Sequence, residues 1–176
     1  MKFLKTDLTD AWLIDPDKRG DARGFFARTF CDQEFAGHGL ETQFVQQNMS
    51  TSAERGTLRG MHMQRAPHTE VKLIRCLRGA IHDIIIDVRP DSATYRQWQG
   101  FDLSDENHRQ LYVPRGFAHG FITLTDDVEV SYLVSAHYTP EAEAGIRYND
   151  PAFAIDWPFE PSVMSDKDRA WPDFGV

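Results

Sequence analysis

The chain has 176 residues, 41% hydrophobic and 26% charged, with a formal net charge of -8. That composition is the one of an ordinary globular chain, and its acidity disfavours unspecific attraction to nucleic acid or an anionic membrane. No apolar run approaches the roughly 18 residues needed to span a bilayer. Length and uniform composition predict a single domain over residues 1–176. Two cysteines, Cys31 and Cys76, stand far apart and read as thiols in a reducing compartment. Met1–Asp7 has no leader-like apolar stretch, so a cytoplasmic location is expected.

Short strand-like runs separated by turn residues fill the chain. Trp12–Ile14 stops at Asp15-Pro16, and an aromatic run covers Gly24–Phe30. Asp32–Ala36, closed by Gly37, reads as a short helix. Phe44–Asn48 and Leu58–Gln64 follow, then Lys72–Leu77 and Ala80–Val88, with Arg78-Gly79 between the last two as a hairpin turn. Gln110–Val113, Gly120–Leu124 and Val128–Val134 complete the strands, the last with Val128, Val130, Tyr132 and Val134 on one face. Ser165 precedes Asp166-Lys167-Asp168 as an N-cap would. Many short strands and few helices predict an all-β sandwich, barrel or jelly roll.

Polar residues inside apolar strand contexts mark where chemistry could sit. In Leu58–Gln64, alternation predicts His62, Gly60 and Leu58 on one face and Arg59, Met61 and Met63 on the other. Gly60 would allow a ligand or a second backbone to approach closely. Tyr132 sits among same-face valines. Taken singly, His62 and Tyr132 read as core residues. Pro114–Phe121 carries the P-x-G-x-x-H pattern of the second cupin motif, ending in His119. The H-x-H pair that completes a metal set in many cupins is replaced by His62-Met63-Gln64, so no metal is expected.

Several motifs then recur in one order: Asp21–Phe26, Phe44–Asn48, Leu58–His62, Arg109–Pro114, Gly116–Phe121 and Asn149-Asp150-Pro151. Together they resemble the dTDP-4-dehydrorhamnose 3,5-epimerases, over about Asp15 to Asp168. The resemblance implies a cupin-type jelly roll with short peripheral helices, a homodimer, no cofactor, and a nucleotide-diphosphate sugar as substrate. It implies that His62 is the base, Tyr132 the acid, Lys72 the lysine near the sugar ketone and Asp168 the carboxylate paired with the base. Nucleotide and diphosphate contacts fall on Arg23, Gln46, Asn48, Arg59, His119, Glu143 and Lys167, and aromatic packing on Phe26 and Tyr138. Some of these groups are expected to reach across from a neighbouring subunit.

The chemistry is coherent. A proton beside a ketone becomes removable when a cation stabilises the enolate oxygen. An imidazole, with its ordinary pKa of about 6.5, suits the base, and a phenol can return a proton from the other side. Arginine forks match phosphate oxygens. Departures from the family pattern are Arg28, where relatives carry an acid at a nucleotide contact, Gln47, Met63, Leu133, and a slightly longer loop from Asn48 to His62. They point to an altered base or sugar preference, or to inversion at one carbon only. A mono-epimerase on another nucleotide-linked deoxysugar, a metal-dependent cupin oxygenase using His62 and His119, and an inactive sugar-binding cupin are the competing expectations.

Overall fold

The computed structural model describes residues 1–175. In chain order the strands are β1 (Lys2–Lys5), β2 (Trp12–Asp15), β3 (Arg19–Asp21), β4 (Gly24–Phe26), β5 (Gln46–Ser52), β6 (Leu58–Gln64) and β7 (Lys72–Arg78). They continue with β8 (Ala80–Asp87), β9 (Trp98–Ser104), β10 (Gln110–Val113), β11 (Phe117–Thr123), β12 (Val128–Val134) and β13 (Glu143–Gly145). Helices are short: α1 (Asp32–Ala36), a single 3-10 turn at Pro140–Ala142, and α2 (Asp166–Arg169). The aromatic run at Gly24–Phe30 is strand only as far as Phe26, because its one partner is the three-residue β3.

Two antiparallel sheets face each other. One runs β1-β2-β10-β7-β12-β5, the other β13-β6-β11-β8-β9, and β3-β4 forms a separate small hairpin. This is the all-β, cupin-type jelly roll. Inward residues close the space between the sheets: Ile74 and Cys76 on β7, Ile81 and Ile85 on β8, Leu111 on β10, Phe121 on β11 and Val130 on β12. Burying such side chains is the main favourable term in folding. The outer face of the five-stranded sheet is also covered, since Met61, Ile84 and Ile86 pack with Ile146, Phe153 and Trp157 from the C-terminal third. That second layer explains why Ile84–Asp87 is buried without alternation.

Arg78-Gly79 is not a hairpin turn. β7 pairs with β10 and β12, and β8 pairs with β9 and β11, so the chain changes sheets at Gly79. The local signal for a tight turn is the same in both cases. Gly79 has a φ of 72°, and a Cβ there would press on Thr125 and Val128.

Strict alternation also fails in β6, with a consequence for the site. His119 lies opposite His62, but Phe121 lies opposite Arg59, so β6 holds one residue more than β11 across this stretch. A bulge of this kind reverses side-chain parity. Arg59 therefore faces the interior cavity with His62, rather than away from it. Gly60 permits this: its φ is 136°, and a Cβ would fall 2.5 Å from Gly120 Cα. Gly60→Ala is expected to cost about 2 kcal/mol or more, because backbone rather than a flexible side chain must yield. Urea unfolding checks it, and an unchanged midpoint would contradict this account of the bulge.

Candidate active site

The cavity between the sheets has two adjoining lobes that share His62, Lys72 and Tyr132. His62 comes from β6 in the five-stranded sheet, whereas Lys72 on β7 and Tyr132 on β12 come from the six-stranded one. The histidine and the phenol thus enter from opposite walls. Val128, Val130, Tyr132 and Val134, expected on one face, point inward: Val128 and Val130 are buried, the Tyr132 ring packs against the same core, and Val134 lines the cavity. Burial pushes the Tyr132 phenol above its ordinary range, with the Arg59 charge and the Asn48 amide pulling the other way. At neutral pH it holds its proton.

His62 Nε2 lies 2.6 Å from Asp168 Oδ1. An ionised carboxylate only accepts, so Nε2 carries the proton and the lone pair is on Nδ1. Asp168 is 4% exposed and also accepts from the Gly60 N–H at 3.2 Å. Burial acts to raise its pKa, but His62 and the Gly60 amide outweigh burial and hold the carboxyl below its ordinary value. The N-cap expected from Ser165 fixes this carboxylate in place: Ser165 Oγ accepts from the Asp168 N–H at 3.1 Å at the start of α2.

Lys72 Nζ lies 3.4 Å from Glu70 Oε1 and donates to the His62 carbonyl at 3.4 Å. Glu70 accepts in turn from Gln64 Nε2 at 2.9 Å. Sequence reasoning does not single out Glu70, and marks Gln64 only as standing in place of the second histidine of an H-x-H pair, although both line the cavity. His119, register partner of His62, pairs through Nε2 with Asp83 at 2.9 Å. Each imidazole is committed to its own carboxylate, and among the described residues no three His, Cys, Asp or Glu side chains converge to hold a metal ion.

At the rim, Gln46 accepts from the Tyr138 N–H at 2.8 Å. The Tyr138 hydroxyl donates to Glu143 at 2.9 Å, and Lys167 donates to Glu143 at 2.5 Å. Asn48 lines the same lobe. Trp171, also missed in the sequence, sits with its ring 6.2 Å from that of His62 and beneath Lys167 Nζ. Arg23, Phe26 and Arg28 are not brought to the cavity of this chain. Arg23 is 89% exposed and paired with Asp21 at 2.5 Å, Phe26 is 68% exposed on β4, and Arg28 pairs with Glu34 at 3.1 Å on the surface. The Arg28 guanidinium is drawn to the first turn of α1, where Glu34 also holds the N-terminal amine.

The Asp168 pairing leaves a stability signature. Its native pKa is lowered, so the contribution is in force above the ordinary carboxyl value of 3.8 and is lost as pH falls through the native value. Asp168→Asn is expected to cost about 1–3 kcal/mol near neutrality, with the gap to wild type narrowing below about pH 4. Urea midpoints measured across that range check this; a gap independent of pH would contradict it.

Comparison with known proteins identifies the family. The family profile of dTDP-4-dehydrorhamnose 3,5-epimerase matches residues 5–175. The dTDP-4-dehydrorhamnose 3,5-epimerase of Methanothermobacter thermautotrophicus is 46% identical over 173 residues, covering 97% of this chain and 92% of the relative. The Bacillus anthracis enzyme, solved with TDP and PPi bound, superposes with a TM-score of 0.95 at 46% identity, covering 98% of both chains. The Legionella pneumophila enzyme, solved with dTDP-4-keto-L-rhamnose, gives 0.92 at 40% identity, covering 98% of this chain and 92% of that one. With fold and sequence in agreement over nearly its whole length, the chain belongs to the dTDP-4-dehydrorhamnose 3,5-epimerase family.

Proposed function

We propose that this protein converts dTDP-4-dehydro-6-deoxyglucose to dTDP-4-dehydrorhamnose by inverting C3 and C5, with residues 1–176 acting as one catalytic domain. The observation that carries this reading is the His62–Asp168 pair at 2.6 Å, in a cavity whose opposite wall bears Lys72 and Tyr132. His62 Nδ1 takes the proton from the carbon beside the C4 ketone. The electron pair moves to the ketone oxygen, where the Lys72 ammonium meets the developing charge. Tyr132 delivers its hydroxyl proton to the other side of that carbon, which inverts it. Solvent then restores the phenol and removes the proton from His62. Asp168 keeps the imidazole in the productive tautomer and supports the imidazolium.

Substrate binding is read from charge and aromatic surface. Arg59, Lys167 and His119 line one lobe and suit a diphosphate, while Gln46, Asn48, Tyr138 and Glu143 line the other and its rim. Arg23 and Phe26, exposed on the β3-β4 hairpin, would serve the cavity of a second copy in a homodimer. Arg28 would then meet the nucleotide only through that partner.

Incubation of the wild type with dTDP-4-dehydro-6-deoxyglucose in heavy water tests the reading. Deuterium should enter both C3 and C5, read by NMR. His62→Asn should slow exchange at both carbons by about a hundred- to ten-thousand-fold while binding of the nucleotide persists. Uptake at one carbon only would reduce the activity to a mono-epimerase, and a variant retaining a third of the exchange would remove His62 as the base.

A further inference from the structure

The cavity holds a second histidine–carboxylate pair, and its chemistry differs from the first. Asp83 is fully buried among the inward residues of β8, at 0% exposure. Its Oδ2 accepts from His119 Nε2 at 2.9 Å, and its Oδ1 has no partner among the described residues. A buried carboxylate with one free oxygen is poorly satisfied unless a positive charge stands beside it. Among the described residues, His119 is the one cation-forming group bonded to it.

With Nε2–H given to Asp83, a neutral His119 offers only a lone pair at Nδ1. Among the described residues that nitrogen has no hydrogen-bond partner and is not buried, and His119 lines the lobe with Arg59, Lys72 and Lys167. A lone pair cannot bond a phosphate oxygen, which also only accepts. A phosphate oxygen seated directly against Nδ1 therefore needs a proton there. Burial holds His119 below the usual histidine range, with Asp83 opposing and Lys72 and His62 adding to the shift. The charged or titratable groups around it are Arg59 and His62 on β6, Lys72 on β7, Asp83 on β8, Tyr132 on β12, and Lys167 and Asp168 on α2.

We propose that Asp83 is a positioning residue that lets His119 take up a proton when the diphosphate binds, so that the imidazolium is held between a buried carboxylate and a phosphate oxygen. This rests on the diphosphate lying in the lobe assigned to it above. The proton comes from solvent to Nδ1, no bond of the ligand is altered, and the net charge of the complex is that of ligand and protein plus one.

The probe is dTDP-glucose, whose doubly esterified diphosphate does not itself titrate near neutrality and which has no ketone to react. Calorimetric titration at one pH in two buffers of different ionisation enthalpy reads proton uptake directly. Wild type should take up close to one proton, and affinity should fall by up to tenfold per pH unit above the free His119 pKa. His62→Asn should keep this uptake. Asp83→Asn, which retains an acceptor but not the charge, should lose it and bind about tenfold more weakly at neutral pH. Nitrogen-15 shifts of the wild-type His119 ring give a second readout that needs no variant to fold: Nε2-protonated neutral imidazole when free, imidazolium when bound. Tight binding with no proton uptake, or a His119 ring still neutral in the complex, would overturn the proposal alone. Absence of any dTDP-glucose binding would overturn both it and the functional reading.

Discussion

A carboxylate removed from water must be surrounded by donors, and the donors of Asp168 are the parts that define this site. They are the Gly60 amide and the imidazole of His62. Gly60 is available because β6 bulges against β11, and the same bulge turns Arg59 inward beside His62. Asp168, 106 residues beyond His62 in the chain, reaches the cavity because Ser165 caps α2. One hydrogen-bonded pair therefore depends on strand irregularity, helix capping and the path of the C-terminal segment together. Loss of any of these would leave a buried charge short of partners, which costs more than the hydrogen bond itself returns.

The two walls of the cavity divide the labour. The five-stranded sheet supplies His62 and His119, each with a carboxylate behind it, and the six-stranded sheet supplies Lys72 and Tyr132. A planar enolate between such walls is open to proton transfer on either side, which inversion requires. Charge is divided as well. A chain of net charge -8 gathers Arg59, Lys72 and Lys167 around one lobe, so an anionic ligand meets local positive potential despite the overall acidity.

Strand positions are legible in the sequence as short apolar runs bounded by turn residues. β6, β10 and β12 fall on such runs, and α1 and the cap of α2 follow from Gly37 and Ser165. What local pattern could not convey was pairing. The residues at Arg78-Gly79 are those of a hairpin, yet the next strand joins the other sheet, because long-range packing of β7 on β12 and of β8 on β11 decides the partner. The bulge at Gly60 was invisible for the same reason, so Arg59 was assigned to the wrong face. Asp83 did leave a signal: period two places it between Ile81 and Ile85 on the buried face of β8, where a carboxylate needs a partner. Glu70 lies outside any strand, in a turn segment where alternation says nothing. Arg23, Phe26 and Arg28 stand on a hairpin and loop whose destination one chain does not determine.

The central claim is that base and acid approach the sugar from different sheets, His62 from one and Tyr132 from the other. Tyr132→Phe tests it most directly, by comparing deuterium uptake with epimer formation on the same 4-keto sugar nucleotide in heavy water. The account predicts that label still enters, returned from the His62 side with retained configuration, while inverted product falls by about a hundredfold or more. Equal loss of exchange and inversion would contradict it, since the phenol would then be needed for proton removal itself.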